Sequence, residues 1–315
     1  MKAGGWLYDI IVIGGGVAGL SAAMYGGRLG LKTLLVAEMM GGIMNFAHLI
    51  ENYPGIESIS GIELAERFKS HAARYEVEFV EEKVENVERT KNGFRVSTKQ
   101  ASYEGRTVIF ATGGEVRKLG VPGEREFEGK GVYYCALCDG ALYQNKVVAV
   151  VGGSDGAAKE ALLLTQYASR VYVIYRGDKL TAEEMNQKKL LSNPKIKLIP
   201  NTNVIQIKGS KVVKEVLLDK EYEGKKELKV DAVFIYIGRV PASQLASKLG
   251  VNLNSKGEII TDKHSKTNIE GVYAAGDVTD SPFKQIIVGA GDGVKAAYSA
   301  YTYLKNQKVQ HIGDV

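Results

Sequence analysis

The sequence predicts an α/β protein built from two similar nucleotide-binding domains. Three observations carry this. A continuous apolar run, Tyr8 to Ile13, ends in the glycine loop Gly14-Gly15-Gly16-Val17-Ala18-Gly19. A second run, Lys146 to Val151, ends in a similar loop, Gly152-Gly153-Ser154-Asp155-Gly156-Ala157. The chain has 315 residues, and domains of roughly 150 residues are usual, so there is length for two cores.

Each copy runs in the same order. Tyr8 to Ile13 reads as a strand covered on both faces, because it is apolar throughout rather than alternating. The GxGxxG turn follows, then a small-residue helix over Leu20 to Leu29, then a second buried strand over Leu31 to Val36, closed by Glu38. This is the dinucleotide fingerprint in its required context. Gly14, Gly16 and Gly19 let the backbone turn tightly and approach a pyrophosphate at a helix N-terminus. Glu38 stands where a carboxylate can accept from ribose hydroxyls; as a residue alone it also reads as a solvated strand-end acid. Gly61 to Tyr75 has helical spacing, with Leu64, Ala65, Phe68 and Ala72 on one face. Short strands follow over Val77 to Val80, Val84 to Arg89, Phe94 to Thr98 and Arg106 to Ala111, with a hairpin turn at Asn92-Gly93. Gly120 to Gly131, rich in glycine and charge, reads as an interdomain linker.

In the second copy a helix is expected over Ala158 to Ala168 and strands over Val171 to Tyr175 and Ala232 to Ile237. Near the end, Gly271 to Asp277 is another strand-to-glycine turn closed by an acid, read either as a ligand contact or as a cap. Gly289-Ala290-Gly291-Asp292-Gly293 reads as a loop opening a helix over Val294 to Leu304, with Asp292 in or near the first turn, where the macrodipole favours an acid.

The two cysteines of the chain stand three apart, in Cys135-Ala136-Leu137-Cys138-Asp139. That spacing can bring two Cα atoms within disulfide range. Asp139 follows at once and can give or take the proton that thiol chemistry needs. Three readings stand beside one another: a redox pair, an inert disulfide or pair of buried thiols, and half of a zinc site. The last lacks a second ligand pair, since His48, His71, His264 and His311 are scattered.

Composition excludes several classes. A net charge of +5 with lysines interleaved among acids leaves no nucleic-acid footprint. No stretch has the ~18 apolar residues of a membrane span. Met1 to Asp9 has no signal-peptide layout, and two cysteines argue against a secreted disulfide scaffold. A cytoplasmic location is expected.

These motifs, taken together, resemble the low-molecular-weight thioredoxin reductases from end to end. The matching elements are the first GxGxxG, Glu51-Asn52-Tyr53-Pro54-Gly55, Ala111-Thr112-Gly113, Cys135 to Asp139, the second glycine loop, Gly276-Asp277-Val278 and Lys284-Gln285. The resemblance implies two Rossmann-like three-layer domains, the second inserted in the first. Residues 1–114 and 245–315 would form an FAD domain; residues 115–244 would form an NAD(P)H domain that carries the cysteines and swivels between half-reactions. It implies a homodimer that reduces thioredoxin or a glutaredoxin-like protein. It places FAD on Gly14, Gly16, Gly19, Glu38, Gly42, Asn52, Thr112, Asp277, Lys284 and Gln285. Cys135 and Cys138 would be the redox disulfide and Asp139 its acid. NADPH or NADH would lie on Gly152, Ser154, Ala157, Arg176 and Lys179.

Two departures from the family pattern bear on this. Ile43 stands where Gln is usual after the glycine pair Gly41-Gly42. In Tyr175-Arg176-Gly177-Asp178-Lys179-Leu180-Thr181 only one of three arginines expected around a 2′-phosphate is present. Losing charge-assisted bonds worth roughly 1.5–3 kcal/mol each leaves NADPH and NADH on an equal footing. It also admits relatives that use neither: a ferredoxin- or deazaflavin-driven disulfide reductase, or a dithiol oxidase passing electrons to oxygen. A redox sensor that signals without turnover is the reading from another class.

Overall fold

The computed structural model describes residues 7–313; Met1 to Trp6, Asp314, Val315 and the side chains of Leu7 and of residues 308–313, His311 among them, lie outside the described residues. The chain divides into two compact units. One holds the residues up to Glu115 and those from Val240; the other is Val116–Arg239.

The first unit is built on a sheet in the order Glu78–Glu81, Thr33–Ala37, Leu7–Ile13, Ser102–Phe110, all parallel. Ile10, Ile11 and Val12 are wholly buried, which is why the first strand is apolar without alternation. Ser102–Phe110 has two neighbours on its far edge. Its first half pairs antiparallel with Gly93–Thr98, which pairs in turn with Val84–Thr90; its second half pairs in parallel with Val272–Ala274. The strand is accordingly exposed at Ser102 and buried from Thr107 to Phe110. Helices Val17–Arg28 and Gly61–Ala73 pack in this unit, the second capped by the Ser60 hydroxyl, which accepts from the Glu63 N–H.

The last helix begins earlier than its sequence suggests. It runs Ile286–Gly313 with no acid in its first turn, so Gly289 to Gly293 lies inside the helix. These glycines serve packing instead. A Cβ on Gly293 would collide with the Ala18 carbonyl oxygen, and one on Gly289 would lie 3.0 Å from Val17 Cγ1. The glycines let this helix lie directly against Val17–Arg28. Asp292 accordingly is not in the first turn; its Oδ1 lies 2.9 Å from Lys295 Nζ.

The second unit repeats the parallel core: Ile196–Ile199, Arg170–Ile174, Val147–Val151, Ala232–Ile235, Val132–Tyr133. A separate antiparallel sheet, Val204–Gly209, Val213–Tyr222 and Lys225–Lys229, turns at Glu223-Gly224, where both residues have positive φ (52° and 79°). The helix after the glycine loop is Asp155–Leu164, starting on the loop itself. Gly120 to Gly131 is no linker: Phe127 is buried with Val213, Val216 and Ile207, and the charge of Glu124 is taken up by the N–H groups of Leu119 and Gly120 and the hydroxyl of Tyr134.

Candidate active site

Cys135 ends an extended stretch (φ −150°, ψ 108°) and forms the N-cap of the helical turn Ala136–Asp139. The turn brings Cys138 round, and the two cysteines are joined in a disulfide with Cα atoms 5.4 Å apart. The Cys138 N–H donates to Cys135 Sγ at 3.1 Å. An amide aimed at that sulfur stabilises negative charge on it once the bond opens. Cys138 is exposed, while Cys135 and Asp139 are half-buried. Burial pushes the Asp139 carboxyl above the usual carboxylate range, which suits a proton donor. Tyr133, Tyr143 and Phe234 pack ring to ring in the core beside Ala136 and Leu137.

One group here was missed in the sequence. Glu160, on Asp155–Leu164, is 8% exposed and accepts the Ala136 N–H at 2.5 Å. Its signal was an acid set among Ala157, Ala158, Ala161, Leu163 and Leu164 on a buried helix.

In the first unit Gly14 (φ 116°) abuts the Ala111 carbonyl, and a Cβ on Gly19 would collide with Gly14 O. Gly16 differs: a Cβ there would meet nothing within 4 Å. It opens Val17–Arg28, whose N-terminus has no side-chain cap and no acid in the first turn. Those open amides beside a bare backbone fit a dinucleotide pyrophosphate, so the residues fit FAD. A Cβ on Gly42 would lie 3.0 Å from Gly16 Cα, which places the Gly41–Gly42 turn against this cradle. Glu38 is exposed at the end of Thr33–Ala37, 3.9 Å from Lys83 Nζ. Asn52 Nδ2 donates to Gln285 Oε1 at 3.1 Å, joining the Glu51–Glu57 loop to the start of the last helix. Lys284 Nζ donates to the Asp277 carbonyl at 3.0 Å and to Glu258. The Thr112 hydroxyl is given to the Ala242 carbonyl at 2.6 Å, so its role is to tie the chain's two crossings together within this unit.

In the second unit a Cβ on Gly152 would collide with the Tyr236 carbonyl and lie 3.0 Å from Ala157 Cβ. Ala157, wholly buried, thus supplies close helix–strand packing. Ser154 is the N-cap and makes no side-chain cap bond. Asp155 is partly buried, which raises its pKa, but Asn186, Lys159 and the Glu183 N–H outweigh this and hold it below the usual range. Arg176 and Lys179 are both exposed after Arg170–Ile174, and the Thr181 N–H donates to Gly153 O at 2.8 Å.

Comparison with known proteins agrees with this geometry. The family described as pyridine nucleotide-disulphide oxidoreductase matches residues 8–301. The chain belongs to this family. It is 40% identical over 302 residues to a thioredoxin reductase of Bacillus subtilis, covering 95% of each. Among solved structures, the thioredoxin reductase of Lactococcus lactis superposes with a TM-score of 0.91 at 39% identity, over 95% of this chain and 99% of that one. A ferredoxin-flavin thioredoxin reductase of Clostridium acetobutylicum is 36% identical, with a TM-score of 0.54, over 97% of this chain and 100% of that one. The family uses FAD and NAD(P)H, and within it this chain is similar to thioredoxin reductases along nearly its whole length.

Proposed function

We propose that this protein is a thioredoxin-disulfide reductase, passing two electrons from NAD(P)H by way of FAD to Cys135–Cys138 and then to thioredoxin. The observation that carries the reading is the Cys135–Cys138 disulfide on its helical turn, with a backbone amide already directed at the Cys135 sulfur. Bound FAD supplies the two-electron chemistry. The residues do the rest. Gly14, Gly16, Gly19 and Glu38 hold the ADP half; Gly42, Asn52, Asp277, Lys284, Gln285 and the backbone at Thr112 line the flavin half. Gly152, Ser154 and Ala157 shape the second cradle, with Arg176 and Lys179 beside it. The reduced pair attacks the partner's disulfide through a thiolate, and the Cys138 N–H favours Cys135 as that thiolate. Asp139 gives a proton to the other sulfur. Thioredoxin is the partner suggested by the relatives' names, and a glutaredoxin-like protein is the variant of the same chemistry. A homodimer in the cytoplasm completes the reading. Among the described residues no helix is long and apolar enough to cross a membrane.

One observation favours a second reading, a disulfide reductase driven by ferredoxin. Arg176 is followed by Gly177 rather than a second guanidinium, and Thr181 spends its amide on Gly153. Likeness to a ferredoxin-flavin enzyme supports it. Anaerobic titration with NADPH, then NADH, while following flavin absorbance separates the two. Bleaching by either supports the nicotinamide route. No bleaching, with dithionite still reducing the flavin, leaves the ferredoxin route.

A further inference from the structure

Two buried carboxylates of the Val116–Arg239 unit are treated differently. Glu124 accepts two backbone N–H groups and the Tyr134 hydroxyl. For Glu160 the described residues show one donor, the Ala136 N–H, and that donor is the amide joining Ala136 to Cys135. A carboxylate removed from water with one hydrogen bond is poorly compensated. Its position is directly behind the disulfide, at the first residue of the turn that Cys135 caps. The electron route from FAD through the cysteine pair to thioredoxin gives Glu160 no part.

We propose that Glu160 is a positioning residue for the Cys135–Cys138 pair, anchoring the amide after Cys135 and taking up a proton when the disulfide is reduced. This rests on the reading of the pair as the redox centre. Two electrons break the S–S bond; one sulfur takes a proton and the other carries negative charge; the Glu160 carboxylate takes a second proton from solvent, so that two negative charges do not face each other across one peptide unit. Burial pushes the Glu160 carboxyl up to about 7 with the disulfide closed, despite the Ala136 hydrogen bond. A thiolate nearby raises it further.

The surrounding charges leave Glu160 to respond. On its own helix, Lys159 is paired with Asp155 at 3.0 Å. On the turn and the segment after it stand Asp139 and Tyr143, the latter donating to Tyr133. Beyond Ala232–Ile235, the half-buried Tyr236 phenol is raised by desolvation and then by the charge of Glu160, against the pull of Arg239. The charged residues of Glu184–Ser192 are exposed, and that helix offers the neutral Asn186 to Asp155. Behind the glycine loop, Tyr175 packs against Gly153. Arg170 lies half-buried at the start of its strand.

The test uses the FAD-loaded enzyme, equilibrated anaerobically with dithiothreitol redox buffers on both sides of pH 7, with Cys135 and Cys138 thiols counted by alkylation and mass. Glu160→Gln keeps an oxygen for the Ala136 N–H and cannot ionise. Above pH 7, reduction of the wild type should take up one more proton than reduction of the variant. That is a tenfold difference in the equilibrium constant per pH unit, about 30 mV for two electrons. Comparing the two proteins in the same buffers cancels the dithiol's own pH dependence. Identical pH dependence in both overturns the role of Glu160; a wild-type pair that does not cycle at all overturns the redox reading itself. If the variant does not fold, the oxidised-minus-reduced infrared difference spectrum above pH 7 decides. A protonated-carboxyl band gained on reduction and retained in Asp139→Asn supports the proposal. Its absence, or its loss in that variant, overturns it.

Discussion

At the residue scale, the chemistry concentrates in a few side chains whose surroundings set their behaviour. Replacing Cys135 or Cys138 with Ser should abolish thioredoxin reduction while leaving donor-dependent flavin bleaching, which an anaerobic titration beside a turnover assay checks. Glu160 has a consequence for stability as well as for redox chemistry. Its carboxyl is held near 7, above its ordinary 4.5, so it favours the folded state below the ordinary carboxylate range and that contribution is lost as pH rises through about 7. Relative to wild type, Glu160→Gln should therefore gain stability between pH 5 and 9, by on the order of 3 kcal/mol. Melting temperatures measured across that range test this; a constant difference between the two proteins would refute it. Gly177 has room for a side chain, the nearest atom to an added Cβ being Lys179 O at 3.4 Å. If nicotinamide is the donor, Gly177→Arg with Thr181→Arg should tighten NADPH relative to NADH, by about 1.5–3 kcal/mol for each productive contact. The ratio of the two KM values reads it.

At the element scale, the glycines of the first loop divide into two kinds that sequence alone does not separate. Gly19 faces the Gly14 carbonyl and Gly16 faces open space. Gly19→Ala forces overpacking, at a cost of about 1–3 kcal/mol, and should lower both stability and FAD content. Gly16→Ala should leave the apoprotein as stable as before and lower FAD affinity alone. Apoprotein melting and FAD titration of both variants distinguish the two. Gly293 belongs with Gly19. The sequence suggested a loop at Gly289 to Gly293 because repeated glycine usually breaks a helix. What the local pattern cannot contain is the neighbouring helix Val17–Arg28, whose Ala18 carbonyl leaves no room for a side chain.

At the scale of the whole molecule, the chain leaves the first unit after Glu115 and returns at Val240. The inserted unit is continuous in sequence and has its own buried residues, from Ala149 and Val150 to Val216 and Val233. A fragment spanning Val116–Arg239 should therefore fold by itself and retain protected amides in Val147–Val151 under hydrogen exchange. An unprotected fragment would show that its core needs the rest of the chain.

The sequence by itself determined the two nucleotide cradles and the cysteine pair. Each rests on a short-range pattern: an apolar run read into a glycine turn, or two thiols spaced to close one turn of chain. The tertiary structure alone decided where Gly120 to Gly131 belongs, why glycine sits inside the last helix, and what stands behind the disulfide. Ala136 and Glu160 are far apart in sequence and meet only when Asp155–Leu164 packs against the cysteine turn. A carboxylate's desolvation is a property of that packing, and no local pattern of residues contains it.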